Sequence, residues 1–367
     1  MRADAGGTVR ALALCAALIV ALSTAALAEG DLFARFGVDA LSRQSQALGG
    51  VDVRALCESL LTGKLGLDED WMNDALRRFA ASLKRALTDA LTLLAAPVLA
   101  SLALRSLIDG GGAIGLVCRM GCAALLTERF VRARAVAAAA LDASAKLIDA
   151  AAPVLATALT LTGSAGKAAI LTPSAALCAK LISDVFSDAG LPLCGVVAIV
   201  AAAANLSDRF QLNRLLALMK RGLNWAVSLT LGAFVGLMAL QGLLASGQDA
   251  LTARALRRMI QAALPVIGGE VSDSAGALLG SAIAARNAVG VAGMLAVMGV
   301  CAAPLARLAV SSLSLRLAAA ALEPVADPGV VKIAAGFADA HQLLLAISAG
   351  AALMSVLCLG ACLALAG

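Results

Sequence analysis

The chain has 367 residues, 61% of them hydrophobic and 14% charged, with a formal net charge of +5; its mean hydropathy is +0.92. Soluble domains lie near about 45–50% apolar and about 25% charged, so this composition excludes an ordinary soluble protein and predicts an integral membrane protein. The positive excess is spread out, with no dense Lys/Arg run beside aromatics, and gives no case for nucleic acid as a partner.

Aromatic residues make up 3% of the chain and Tyr is absent, so any aromatic belt is thin. The 34 Gly and abundant Ala suit close helix-on-helix packing in a membrane, although a GC-rich genome enriches the same residues. Nine Cys occur, at 15, 57, 118, 122, 178, 194, 301, 358 and 362. There is no CxxC. Cys118/Cys122 and Cys358/Cys362 are spaced i, i+4, but no His or carboxylate joins them at ligand spacing. These Cys are read as small buried hydrophobes, with no metal and no cofactor expected.

In chain order, residues 1–28 read as a cleavable secretory signal. Arg2 and Arg10 form a basic n-region, 11–22 an apolar h-region, and Ala26-Leu27-Ala28 a cleavage site before Glu29; an uncleaved signal anchor is the alternative. Residues 29–88 are the one soluble-looking stretch and are expected to be an exported amphipathic helical segment. Within it Trp71, Ala75, Leu76, Phe79, Leu83 and Leu87 share one helical face, while Arg77, Arg78, Lys84 and Arg85 lie around it. Asp68, Glu69 and Asp70 sit where a helix start prefers acids. This helix either lies on a membrane surface or docks on the rest of the protein.

Residues 89–367 are expected to form a multi-helix transmembrane domain, since a spanning helix needs about 20 mainly apolar residues. Candidates are 90–108, 113–126, 136–162, 170–186, 191–206, 223–245, 287–310 and 343–366. The third carries Asp142, Lys146 and Asp149 along one side, with Asp142 and Lys146 placed as an ion pair. The fourth is interrupted by Pro173 and Lys180. The fold expected is all-α and polytopic, with about six to eight membrane-embedded helices, some short or broken. Basic clusters at 129–134, 209–221, 254–258 and 307–316 leave the orientation open. Two of them bracket the strong span 223–245, unless 250–263 lies flat. No domain boundary or internal repeat is visible after residue 90.

The stretch 264–293 stands out. It is apolar, yet holds Pro265, Gly268, Gly269, Glu270, Asp273, Arg286, Asn287 and Gly290. Charge in hydrocarbon costs about 2.5–3.5 kcal/mol per residue even on the lenient scale, and broken helix is tolerated at depth only under protein or beside water. These eight residues are therefore expected to form a buried seam that packs helices or lines a pore. Glu270 and Asp273, one turn apart, suit a cation or a proton relay, or simply a helix cap.

Catalysis has little to stand on. There is no HExxH, GxSxG or Walker loop; 163–168 lacks the upstream glycine and the strand a phosphate loop needs. His341 is the single His, so acid–base chemistry would fall to Asp, Glu or Lys. The chain is read as not an enzyme.

Lys220, Trp225, Gly232, Phe234, Gly236 and Gly242, followed by Leu264 to Gly269, Ser272-Asp273 and Asn287-Ala288-Val289-Gly290, resemble the stage III sporulation protein AE family of endospore-forming bacteria. The similarity is strongest over about residues 205–310. The resemblance implies a non-enzymatic integral membrane component of the secretion-like channel between mother cell and forespore, needed for late forespore development. It implies a multi-pass protein of the mother-cell membrane surrounding the forespore. The partners expected are the lipid bilayer, other proteins of the same channel complex, and further copies of the chain. The rival reading is an independent secondary transporter or permease with a broken-helix site near 264–293.

Overall fold

The computed structural model describes residues 29–48, 52–61, 84, 88, 111–162, 164–206, 212–263, 268–324 and 326–364. The expected signal peptide, the Trp71 amphipathic helix and the 90–108 span lie outside the described residues. Described residues in regular structure are helical: α1 Glu29–Phe36, α2 Val38–Ala47, α3 Val53–Leu61, α4 Gly111–Leu161, α5 Ala165–Leu181, a π-helical stretch Ile182–Gly190, α6 Leu191–Leu206, α7 Asn213–Ala263, α8 Gly268–Leu322 and α9 Pro328–Ala364.

Among the described residues five helical segments are long and apolar enough to cross a membrane: Gly115–Leu161, Ala168–Leu206, Arg214–Gln241, Ala282–Leu322 and Pro328–Gly360. Here neighbouring candidates fuse. The spans 113–126 and 136–162 lie in one helix of 51 residues, since 127–135 holds charged helix formers and no Gly or Pro to break it. The spans 170–186 and 191–206 also join. Ser187-Asp188-Ala189-Gly190 looks like a turn, but the wider π-helix carries the chain through it. Residues 250–263 continue α7 without interruption. Pro153, Pro173 and Pro304 lie inside helices, as membrane helices tolerate.

Short local signals set the boundaries. Gly37 takes φ 79, the left-handed region open to Gly, and turns α1 into α2. The Asp52 carboxylate caps α3, accepting from the Arg54 N–H at 3.0 Å and the Ala55 N–H at 3.3 Å. The Ser42 hydroxyl donates to it at 2.6 Å, and this bond chiefly holds the Asp52 carboxyl below its usual range. The α4–α5 hairpin closes with the Ser164 N–H on the Leu159 carbonyl at 2.9 Å. Asp327 caps α9, receiving the Gly329 N–H at 2.7 Å, with Pro328 at the first helical position where its missing N–H costs nothing.

The hub is α9, which packs against α4, α5, the π-helical stretch, α6, α7 and α8. One core gathers around it: Phe130 of α4 meets Phe337 and His341 of α9 edge-on, with ring centroids 6.3 and 5.6 Å apart. A second core joins α1–α3 to the 143–159 part of α4 and the 285–301 part of α8. There Phe33, Phe36, Val38, Leu41, Val53 and Cys57 are buried.

Candidate functional site

The expected seam falls on α8, apart from Pro265, which lies outside the described residues. From Gly268 through Gly293 the helix is uninterrupted. Gly268, Gly269, Glu270 and Asp273 occupy its first two turns. Asp273 precedes Arg286 by 13 positions, about 20 Å along a straight helix. The acidic and basic ends of the seam therefore do not converge along α8.

Its C-terminal half is buried. Arg286 is 4% exposed; it donates through Nη1 to the Thr162 hydroxyl at 3.4 Å and through Nη2 to Asn287 Oδ1 at 3.3 Å. Thr162 follows the last residue of α4, so the guanidinium sits at a helix C-terminus, the end that attracts cations. Gly290 is buried beside Val289 and Ala292 in the second core. The Ser144 hydroxyl meets the Cys301 thiol at 3.3 Å.

A more convergent cluster surrounds Asp339, the single carboxylate of α9. Its Oδ2 accepts from Lys220 of α7 at 2.6 Å and its Oδ1 from Arg316 of α8 at 2.9 Å. Arg316 also donates to Gln342. One carboxylate thus ties three helices together. Sequence reading picked out Lys220 but not its partner. A lone acid in a helix otherwise apolar over 333–364 was the available signal.

Beside this cluster lies a cavity of about 200 Å³, lined by Arg129 and Arg132 of α4, Arg307, Ser311 and Ser314 of α8, and His341 of α9. Two basic clusters far apart in sequence, 129–134 and 307–316, meet here. Arg132 is also paired with Glu128 at 2.5 Å. His341 is buried, its Nδ1 2.8 Å from the Phe337 carbonyl oxygen.

At the tip of the bundle Arg119 of α4 donates to Asp327 at 3.1 Å. A Cβ on Gly329 would run into the Arg119 guanidinium, so a larger residue there would push Arg119 aside. Asp327 thereby starts α9 and pins it to α4.

The arrangement ties helices together through charged and polar side chains. Cys57, Cys118, Cys122, Cys178, Cys194, Cys301 and Cys358 are all buried and free of disulfides. Burial pushes the Cys57 thiol up to about 12, with Glu58 and Asp52 adding to the shift; the reactive thiolate is therefore scarce at neutral pH. Among the described residues no group of three or more His, Cys, Asp or Glu could hold a metal ion.

The family model described as stage III sporulation protein AE matches residues 112–366, from the start of α4 through α9. Among curated proteins, the stage III sporulation protein AE of Bacillus subtilis (strain 168) is 23% identical over 179 residues, covering 49% of this chain and 45% of that protein. The chain thus matches about half the length of this relative. No solved structure matches it.

Proposed function

Because the chain belongs to the stage III sporulation protein AE family, we propose that it is a non-enzymatic, multi-pass membrane subunit of a channel joining mother cell and forespore. It resides in the mother-cell membrane around the forespore, works with other subunits of that complex, and sustains late forespore development. One observation carries this reading: the family match over 112–366 coincides with the five helices long and apolar enough to cross a membrane.

The chemistry agrees with a structural subunit. Asp339 and Asp327, charged residues at interhelix contacts, are held in ion pairs. Arg286, Asn287 and Gly290 act as a packing seam, where a small residue and an internally bonded cation let α8 pack beside α4.

In-frame deletion in an endospore-forming host tests the proposal. Engulfment is expected to finish, while late forespore gene expression fails and mature spores do not form. Normal spore numbers from the deletion strain would overturn it.

A further inference from the structure

The long helices differ in charge at one common depth. In α9 no charged side chain occurs over 343–364, in α8 none over 287–306, and in α7 none over 222–247. Contacts align these stretches. A Cβ on Gly293 would lie 3.5 Å from Leu359 Cδ1, and one on Gly350 3.5 Å from Val227 Cγ1. Together they mark the hydrocarbon depth of the bundle.

The helices α4 and α5 pass through the same depth. Ser144 touches Cys301, and Cys178 shares a hydrogen bond with Cys358. The Phe186 ring would lie 3.6 Å from a Cβ on Gly350, and Ile347 3.0 Å from one on Gly190. Yet within two turns of these contacts α4 carries Asp142, Lys146 and Asp149, and the α5–π stretch carries Lys180, Asp184 and Asp188. All six are exposed. Asp142 and Lys146 pair at 2.7 Å, but their side chains remain 58% and 53% exposed.

Lipid cannot be the neighbour of this surface. At about 2.5–3.5 kcal/mol per charge at the midplane, the four charges outside the Asp142–Lys146 pair would cost roughly 10–14 kcal/mol, comparable to the roughly 5–15 kcal/mol that holds a typical fold together. A nine-residue π-helix runs through the same stretch, a rare element that concentrates at functional sites. Nearby, α1–α3 pack on the 143–159 part of α4 and expose Arg35, Arg43 and Glu58, a second charged surface at membrane depth.

We infer that the charged faces of α4 and of the α5–π stretch border water and line an aqueous passage through the membrane, which rests on the channel-subunit reading above. Four carboxylates against two ammonium groups give that passage a preference for hydrated cations over anions. The passage lining is thus placed on Asp142, Asp149, Asp184 and Asp188 rather than on the 264–293 seam.

The test is thiol accessibility in membranes of sporulating cells carrying the full chain in its complex. Asp149→Cys, Asp184→Cys and Asp188→Cys are treated with a membrane-impermeant cationic methanethiosulfonate. Trp225→Cys and Leu229→Cys serve as controls, being 68% and 52% exposed on α7 at the same depth. The unsubstituted chain, with its buried Cys, sets the background. Co-purification of each variant with the membrane complex certifies that it folds and assembles.

The three Asp positions are expected to be modified to completion while the α7 positions stay unmodified, because a thiolate forms where water reaches and not in lipid. Unmodified Asp positions in variants that assemble would overturn the inference while leaving the channel reading intact. Equal modification on α7 would overturn it too. Modification in a host whose deletion sporulates normally would keep the aqueous face and reject the sporulation role. As a second readout, Asp149→Asn with Asp184→Asn in the intact complex reconstituted in bilayers should lose the cation preference; an unchanged preference counts against the inference.

Discussion

Helices α7 and α9 are both apolar enough to span a membrane, yet they occupy opposite environments. In the most apolar window of α9, 61% of residues are buried, against 11% for α7. Leu218, Trp225, Leu229 and Leu240 of α7 all face outward. In water such a face would be a liability; in lipid an exposed Leu costs nothing, because the chains around it are equally apolar. The difference shows where small residues matter. A Cβ on Gly336 of α9 would lie 2.8 Å from the Ala201 Cβ, whereas one on Gly232 or Gly236 of α7 meets nothing within 4 Å. Among the described residues nothing packs against Gly222, Gly232 or Gly236 of α7.

The largest expected effect comes from testing that contrast directly. Gly336→Leu should cost on the order of 2–3 kcal/mol through overpacking, while Gly232→Leu should stay within about 0.5 kcal/mol. Thermal unfolding of both variants in detergent measures the gap. Equal losses would abolish the distinction between inner and outer helix.

A smaller effect concerns how α9 holds its neighbours. Asp339→Asn leaves Lys220 and Arg316 without their shared carboxylate. The side chains are 23–49% exposed, so solvent screening reduces the expected loss to about 1–2 kcal/mol. Asp142→Asn, which breaks only the exposed pair with Lys146, should cost about 0.5 kcal/mol or less. Gly329→Ala should displace Arg119 from Asp327 and cost about 1 kcal/mol, seen as faster amide exchange at 329–331.

The smallest effect lies in α1–α3. The Asp52 carboxyl is held below its ordinary range, chiefly by the Ser42 hydroxyl. Its stabilisation is therefore present above the unfolded carboxyl range and lost as pH falls through the lower native value. Amide exchange at Arg54 and Ala55 should rise on that acidification, and Ser42→Ala should move the rise to higher pH. Cys57 should stay unmodified by iodoacetamide at neutral pH while these helices remain docked.

Helix type was legible because Ala- and Leu-rich apolar runs have few other folds available in a membrane. The breaks between neighbouring candidates were not, because 127–135 offers no breaker and the π-helix absorbs a turn-like Ser-Asp-Ala-Gly. Arg286 was singled out from the cost of charge in an apolar run, and it lies buried beside a half-buried Asn287. Asp339 and Asp327 were missed because their partners lie 119 and 208 positions away, a pairing that one sequence does not reveal. Asp142, Lys146 and Asp149 were legible as a stripe, but their depth became clear only once Ser144 was seen against Cys301.

The most direct measurement is the composition of the particle that this chain forms in sporulating cells, extracted in mild detergent and sized intact. The account predicts that it purifies in a defined complex with other sporulation membrane proteins and takes up no solute when reconstituted alone. A lone chain that purifies without partners and drives solute uptake by itself in vesicles would contradict it.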